Sequence, residues 1–109
     1  MDRPVLVYTT FPDEATALAV GEALVAEKLA ACVNIIPGMR SVYAWRGAVE
    51  RADEVVGIVK TREGLKEAVR AALKKRHPYE TPIVLFLEVS GGDRDTLDWL
   101  INETNAPAG

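Results

Sequence analysis

The chain has 109 residues and a mass of 11.9 kDa, so we expect residues 1–109 to form a single domain. Hydrophobic residues make up 49% and charged residues 27%, which excludes a disordered chain, because such chains are poorer in apolar residues. The net charge is −3, whereas nucleic-acid-binding proteins usually carry an excess of basic residues. Apolar runs fall far short of the roughly 18 residues of a membrane span. The N-terminal residues lack a signal-peptide layout, so a cytoplasmic location is predicted.

The chain begins with a pattern typical of a strand followed by a helix. Residues 5–10 (VLVYTT) are short and rich in β-branched and aromatic side chains, which favours a buried strand. Acidic residues after Pro12 suit a helix N-terminus, and apolar residues then recur at helical spacing. The predicted buried face of this helix consists of Ala17, Val20, Gly21 and Leu24.

A long hairpin is predicted next. Residues 32–36 and 41–45 favour a strand, Arg46 and Gly47 can turn the chain, and residues 48–60 contain the returning strand. Each arm would be about 13–15 residues, or roughly 45 Å long, whereas a domain of this size has a radius of gyration of about 13 Å. Such a hairpin would overhang its own domain with unpaired edges, so the residues predict a homo-oligomer. Pro37 and Gly38 would form a bulge.

The second half of the chain predicts a helix, a strand and a further helix. Thr61 is expected to cap the first of these helices, and Pro78 to end it. The expected buried face of that helix is Leu65, Ala68, Val69 and Ala72. Residues 81–89 are apolar on both faces, which favours a central strand covered on both sides. Asp93 can cap the last helix.

The element order β-α-β-β-α-β-α predicts an α+β fold. Its first six elements match the ferredoxin-like split βαβ unit, in which an antiparallel sheet is packed by helices on one face.

Two residues are candidates for soft or borderline metal binding. Cys32 is the only cysteine, and a thiolate suits copper(I) or zinc, although one thiol per subunit cannot complete a thiolate site. The alternative is a small buried strand residue. His77, the only histidine, could be a ligand or a proton acceptor. It could equally cap the end of the preceding helix.

Carboxylates and aromatic residues supply further candidates. Glu50 and Glu54 share one face of a strand, with Lys60 at the same parity. The two carboxylates could bind a cation together with water, or pair with a basic side chain of a neighbouring subunit. Glu80 could play either of these two roles as well. The aromatic residues would pack in an interface or line a ligand cleft; they are Tyr43, Trp45, Tyr79 and Trp99. The chain has no CxxC, HExxH or P-loop motif, and no enzyme activity is predicted.

Four stretches of sequence carry a resemblance to a known family. They are residues 27–34 (EKLAACVN), 43–50 (YAWRGAVE), 60–61 (KT) and 77–82 (HPYETP). With these stretches at matching spacing, the chain resembles the CutA family of divalent-cation tolerance proteins from about residue 5 to residue 100. The resemblance implies a ferredoxin-like, PII-like homotrimer in which long hairpins from three subunits pair. It also implies tolerance to copper and other divalent ions, without an agreed chemical reaction.

The residues and the resemblance together predict a trimeric protein that binds divalent cations such as copper at intersubunit sites and takes part in the response to metal ions. The predicted metal ligands are Cys32, His77, Glu50 and Glu54. The predicted intersubunit cleft is lined by Tyr43, Trp45, Lys60, Tyr79 and Glu80. No cofactor is required beyond a possible copper or other divalent ion, and no nucleic acid or membrane is expected as a partner. The alternative function is a PII-like small-molecule sensor or adaptor without catalysis.

Overall fold

The predicted strands and helices all form, in the predicted order. A computed structural model describes residues 2–105, so Met1 and residues 106–109 of the predicted domain lie outside the described range. The elements are β1 (Pro4–Phe11), α1 (Glu14–Ala26), β2 (Cys32–Trp45), β3 (Ala48–Arg62), a short 3-10 turn (Glu63–Leu65), α2 (Lys66–Arg76), β4 (Leu85–Glu88) and α3 (Arg94–Asn102). Within residues 2–105, every helix is too short or too polar to cross a lipid bilayer.

The four strands form one antiparallel sheet in the order β2-β3-β1-β4. This order confirms the predicted α+β fold with its split βαβ topology. Helices α1 and α2 cover one face of the sheet and enclose the core with it. The core residues are Val5, Val7, Phe11, Ala17, Val20, Leu24, Ala30, Val55, Val59, Val69 and Leu73.

Helix α1 agrees with its prediction. Its buried residues are Ala17, Val20, Gly21 and Leu24, at the helical spacing that the sequence indicated. Asp13 precedes the helix in an extended conformation and its carboxylate accepts the Thr16 backbone N–H at 2.7 Å. This bond satisfies one of the N–H groups that have no partner at a helix start.

The long hairpin of β2 and β3 is also confirmed. Its arms have 14 and 15 residues, and the pairing register shifts between Ile36 and Met39, where Pro37 and Gly38 form the bulge. Arg46 and Gly47 turn the chain with φ angles of 49° and 83°, as a two-residue type I′ turn requires. Strand β1 pairs with β3 only as far as Val55, so residues 48–54 pair with β2 alone. Together with residues 39–45 they form an overhang beyond the other strands. The described chain is accordingly elongated, with extents of 45 × 25 × 23 Å.

The predicted start of α2 is wrong. Thr61 does not cap the helix, because β3 continues to Arg62 and buries Thr61, whose hydroxyl donates to the Leu29 carbonyl at 2.6 Å. The helix begins at Lys66 after Leu65, without a side-chain cap. Its buried residues are Val69 and Leu73, whereas the predicted Ala68 is exposed and Ala72 is only partly buried.

The predicted position of β4 is wrong as well. The strand spans only Leu85–Glu88 and lies at the edge of the sheet, paired with β1 alone. Val84 and Phe86 pack against the core, but Leu85 and Leu87 are 57% and 46% exposed. The apolar residues on both sides of this strand therefore do not indicate burial on both sides within one chain. One side contacts the core and the other belongs to an uncovered sheet face.

Helix α3 begins as predicted. The Asp93 carboxylate accepts the Asp95 backbone N–H at 3.1 Å. Leu100 is its buried residue, and the helix contacts β3 and β1.

Candidate functional site

The sheet face opposite the core, called the open face below, carries Cys32. Val7, Val59 and Phe86 point into the core, so the residues that alternate with them point to the open face. The register aligns two rows across the four strands. The first row is Cys32, Lys60, Leu6 and Leu87, and the second is Asn34, Ile58, Tyr8 and Leu85.

The Cys32 thiol is partly accessible on this open face. Its sulfur accepts a contact from Asn34 Nδ2 at 3.7 Å, and Lys60 lies directly opposite in the antiparallel pair. Cross-strand neighbours on one face have Cβ atoms about 4.5–5.5 Å apart. Two predicted site residues, Cys32 and Lys60, are therefore neighbours.

The His77 imidazole lies buried at the end of α2, with 8% of its surface exposed. Its Nε2 atom lies 2.5 Å from the Thr10 carbonyl oxygen, and its Nδ1 atom accepts the Tyr79 backbone N–H at 3.1 Å. A carbonyl only accepts and an N–H only donates, so the ring is the neutral tautomer with its proton on Nε2. The ring stacks on Phe11 with centroids 5.0 Å apart and an angle of 12°.

Each of the two predicted carboxylates on the hairpin accepts a hydrogen bond from a tyrosine hydroxyl. Tyr79 donates its hydroxyl to Glu54 Oε1 at 2.8 Å, and Tyr43 donates to Glu50 Oε1 at 3.4 Å. The pKa of Tyr79 is raised above its ordinary value, mainly by burial and also by the hydrogen bond to Glu54. Burial and the nearby Glu50 likewise raise the pKa of Tyr43. Both phenols therefore remain protonated donors at neutral pH.

The hairpin turn contacts the loop that follows α2. Arg46 Nη2 donates to both carboxylate oxygens of Glu80 at 3.0 and 3.3 Å. The guanidinium also lies 5.3 Å from the centre of the Trp45 ring. The loop after α2 thus holds the overhanging hairpin at two places, through Tyr79 on Glu54 and through Glu80 on Arg46.

A single chain does not assemble the four predicted metal ligands. Among residues 2–105, no three His, Cys, Asp or Glu side chains lie together as a metal site would require. Cys32 lies at the start of β2, Glu50 and Glu54 lie on the overhang, and His77 lies behind Tyr79. The structure joins His77, Tyr79 and Glu54 in one cluster, and Tyr43 with Glu50 in another.

The sequence did not indicate the roles of three residues, two in the His77 cluster and one at the hairpin turn. Thr10 acts through its backbone carbonyl, which no side-chain pattern can reveal. Phe11 lies one residue beyond the predicted strand of residues 5–10, although it continues the alternation of core residues and stacks on His77. Arg46 is predicted only as a turn residue, whereas its pairing with Glu80 joins the hairpin to the loop after α2.

These features define a small α+β protein of ferredoxin-like topology, with a hairpin that extends beyond its sheet and is braced by a loop of His, Tyr and Glu residues. The family model described as "CutA1 divalent ion tolerance protein" matches residues 5–103. The chain belongs to this family.

Individual relatives agree over nearly the whole chain. The chain is 44% identical to the divalent-cation tolerance protein CutA of Pectobacterium atrosepticum, an alignment that covers 91% of this chain and 94% of the relative. It is 48% identical to the protein of the same name in Escherichia coli strain K12 / DH10B, with 88% and 86% covered. The crystal structure of CutA1 from Oryza sativa superposes with a TM-score of 0.92 at 41% identity, covering 94% of each chain.

Proposed function

We propose that the protein is a homotrimer of PII-like architecture that binds divalent cations, copper among them, between its subunits and takes part in the response to metal ions. It acts in the cytoplasm and without catalysis. The observation that carries this proposal is the placement of Cys32 on an apolar, uncovered sheet face. Assembly through that face would bring thiols from several subunits together.

Uncovered apolar surface supports assembly. The open face exposes Leu85 and Leu87, and the overhang exposes Val42 and Val49 by 70% and 80%. Soluble monomers rarely expose contiguous apolar patches of this kind. The free edges of β2 and β4 add unpaired backbone groups, which another chain can pair.

The distribution of the candidate ligands supports sites between subunits. The thiol of Cys32 suits copper(I) or zinc(II), and the Glu50 and Glu54 carboxylates suit zinc(II) as well as harder cations. These groups lie apart within one chain. Protein ligands from a second subunit would complete the coordination shell in the proposed trimer.

Assembly is tested by measuring the molar mass of the purified protein with size-exclusion chromatography and light scattering. We expect the mass of three 11.9 kDa chains. Leu85→Asp places a charge on the open face and should reduce the trimer fraction. Leu18→Asp is the matched control, because Leu18 is exposed on α1, away from the sheet. A monomeric native protein would contradict the proposal.

Metal binding is tested by titrating the metal-free protein with copper(I), copper(II) and zinc(II) against chelators of known affinity. We expect saturable binding with a whole-number stoichiometry per trimer. Cys32→Ser should abolish saturable copper(I) binding, because it removes the thiolate. Met39→Leu removes the other sulfur near the hairpin bulge and should leave that binding intact. Weak binding with no defined stoichiometry would contradict the metal role.

A second function is favoured by the phenol and carboxylate pairs on the overhang. Tyr43 and Tyr79 present hydrogen-bonding hydroxyls beside aromatic surface, a combination common in small-molecule sites. In this alternative the protein is a sensor or adaptor with a ligand cleft between subunits, lined also by Trp45, Lys60 and Glu80. A thermal-shift screen of metabolites in a chelator-treated sample distinguishes it, since a hit without metal would favour the sensor.

A further inference from the structure

We propose that His77 is a positioning residue of the proposed metal site and is not itself a metal ligand. It fixes Tyr79, which in turn orients the Glu54 carboxylate on the overhanging hairpin. The statement about metal affinity rests on the proposed function, whereas the statement about the His77–Tyr79 contact does not.

Both ring nitrogens of His77 are already engaged. Nε2 donates its proton to the Thr10 carbonyl, and the Nδ1 lone pair accepts the Tyr79 N–H. A metal at Nδ1 would displace the Tyr79 amide. A metal at Nε2 would require the ring proton to move to Nδ1, which could then no longer accept the Tyr79 N–H, and the metal would have to displace the Thr10 carbonyl.

The ring is also held in place by its packing. It is 8% exposed, it stacks on Phe11 at 5.0 Å, and Tyr79 covers it with centroids 4.7 Å apart. Swinging the ring outward to meet an ion would break the stack and both hydrogen bonds together. Buried polar groups left without partners are costly, so this rearrangement is unfavourable.

A chain of three hydrogen bonds connects the end of β1 to the hairpin. The Thr10 carbonyl orients the His77 ring, the ring holds the Tyr79 amide, and the Tyr79 hydroxyl donates to Glu54. Glu54 lies one residue beyond the last pairing of β1 with β3. Tyr79 is therefore a direct restraint on a carboxylate in the part of β3 that pairs with β2 alone. Loss of such an outer partner typically lowers metal affinity about 10–100-fold.

The first experiment uses the fact that His77 is the only histidine. Protein labelled with ¹⁵N in the imidazole ring is observed by NMR before and during titration with zinc(II). We expect a protonated Nε2 and an unprotonated Nδ1 in the metal-free protein, and both resonances should stay unchanged through saturation with zinc. A zinc-dependent shift of either nitrogen to a metal-bound position would overturn the proposal.

The second experiment separates the two bonds of the ring with matched variants. In His77→Asn the side-chain oxygen reproduces the acceptor at Nδ1, and in His77→Gln the side-chain amide reproduces the donor at Nε2. Hydrogen exchange of the Tyr79 amide should remain slow in His77→Asn and become fast in His77→Gln. Equal exchange rates in the two variants would show that Nδ1 does not hold Tyr79.

Zinc affinity then tests the link to Glu54. His77→Asn should bind zinc as tightly as the native protein, whereas His77→Gln and Tyr79→Phe should each bind about tenfold more weakly. The double variant His77→Gln/Tyr79→Phe should be no weaker than either single variant, because both act through the same hydroxyl. A large loss in His77→Asn would mean that the imidazole is a ligand. If no variant and no native protein binds zinc, the proposed function fails, and the tautomer and the Tyr79 exchange still decide the role of His77.

Discussion

The Arg62 guanidinium donates from Nε to Thr104 Oγ1 at 2.9 Å, across 42 positions of sequence. Its Nη2 atom donates to the carbonyls of Ile101 and Thr104 at 2.8 and 2.9 Å. These carbonyls lie at the end of α3, where a helix has acceptors without partners. Arg62 is buried, and it therefore joins the last residue of β3 to the C-terminal helix.

Arg62→Met should destabilise the protein by about 2–4 kcal/mol, because it leaves the Thr104 carbonyl without its donor and removes the buried bond to Thr104 Oγ1. The control is Arg40→Met, since Arg40 contacts Asp53 at 3.8 Å with both side chains exposed; a change within about 0.5 kcal/mol is expected there. Urea unfolding at one fixed protein concentration measures both, because the stability of the proposed trimer would depend on concentration. Similar losses in the two variants would contradict the role given to Arg62.

Gly57→Ala should destabilise the sheet by about 1–3 kcal/mol through overpacking. A Cβ atom at Gly57 would lie 2.7 Å from Phe11 Cε2 and 3.1 Å from Thr9 Cγ2, in a central strand. The matched variant is Gly21→Ala. Gly21 lies inside α1, and its Cβ atom would lie 3.4 Å from atoms of Val33. There the better helix propensity of alanine, about 1 kcal/mol, should offset the tight contact. Thermal unfolding of the two variants should therefore differ, with Gly57→Ala the less stable.

Asp13 should make part of the stability of α1 dependent on pH. The hydrogen bonds from Thr16 hold the pKa of the Asp13 carboxyl below its ordinary value of 3.8. A lowered folded-state pKa stabilises the fold above pH 3.8, and this contribution disappears as the pH falls through the folded-state pKa. Asp13→Ala should therefore be less stable than the native protein at pH 7, with a smaller difference near pH 3.

Asp13→Asn is the control for this titration, because asparagine still caps the helix but carries no ionisable group. Its stability relative to Asp13→Ala should change little between the two pH values. Unfolding temperatures measured at both pH values provide the comparison. A constant difference between native protein and Asp13→Ala at the two pH values would contradict the assignment.

Gly47→Val should strain the hairpin turn and weaken the proposed trimer. Gly47 has a φ angle of +83°, a conformation that a β-branched residue adopts only at a cost of roughly 1–2 kcal/mol. Gly91→Val is the control, since a Cβ there meets no atom within 4 Å and the backbone is in an ordinary conformation. Size-exclusion chromatography should show a smaller species for Gly47→Val only. An unchanged elution volume would mean that the turn tolerates the side chain or that assembly does not need it.

Local sequence patterns predicted the elements well where neighbouring residues decide the conformation. The spacing of Ala17, Val20, Gly21 and Leu24, the caps at Asp13 and Asp93, and the turn at Arg46 and Gly47 are all set by residues close in the chain. The predictions for Thr61 and for residues 81–89 failed for one common reason. Burial of an apolar or β-branched residue depends on which elements pack against it, and that is a property of the whole sheet.

The candidate site divides in the same way. The sequence by itself determined the available chemistry, namely one thiol, one imidazole and carboxylates on a hairpin longer than its domain. Only the tertiary structure decided which groups meet. It aligned Cys32 with Lys60 on the open face, and it turned both nitrogens of His77 towards backbone groups of Thr10 and Tyr79. Backbone partners leave no trace in side-chain patterns, so the role of His77 follows from the fold that brings the end of β1 against the loop after α2.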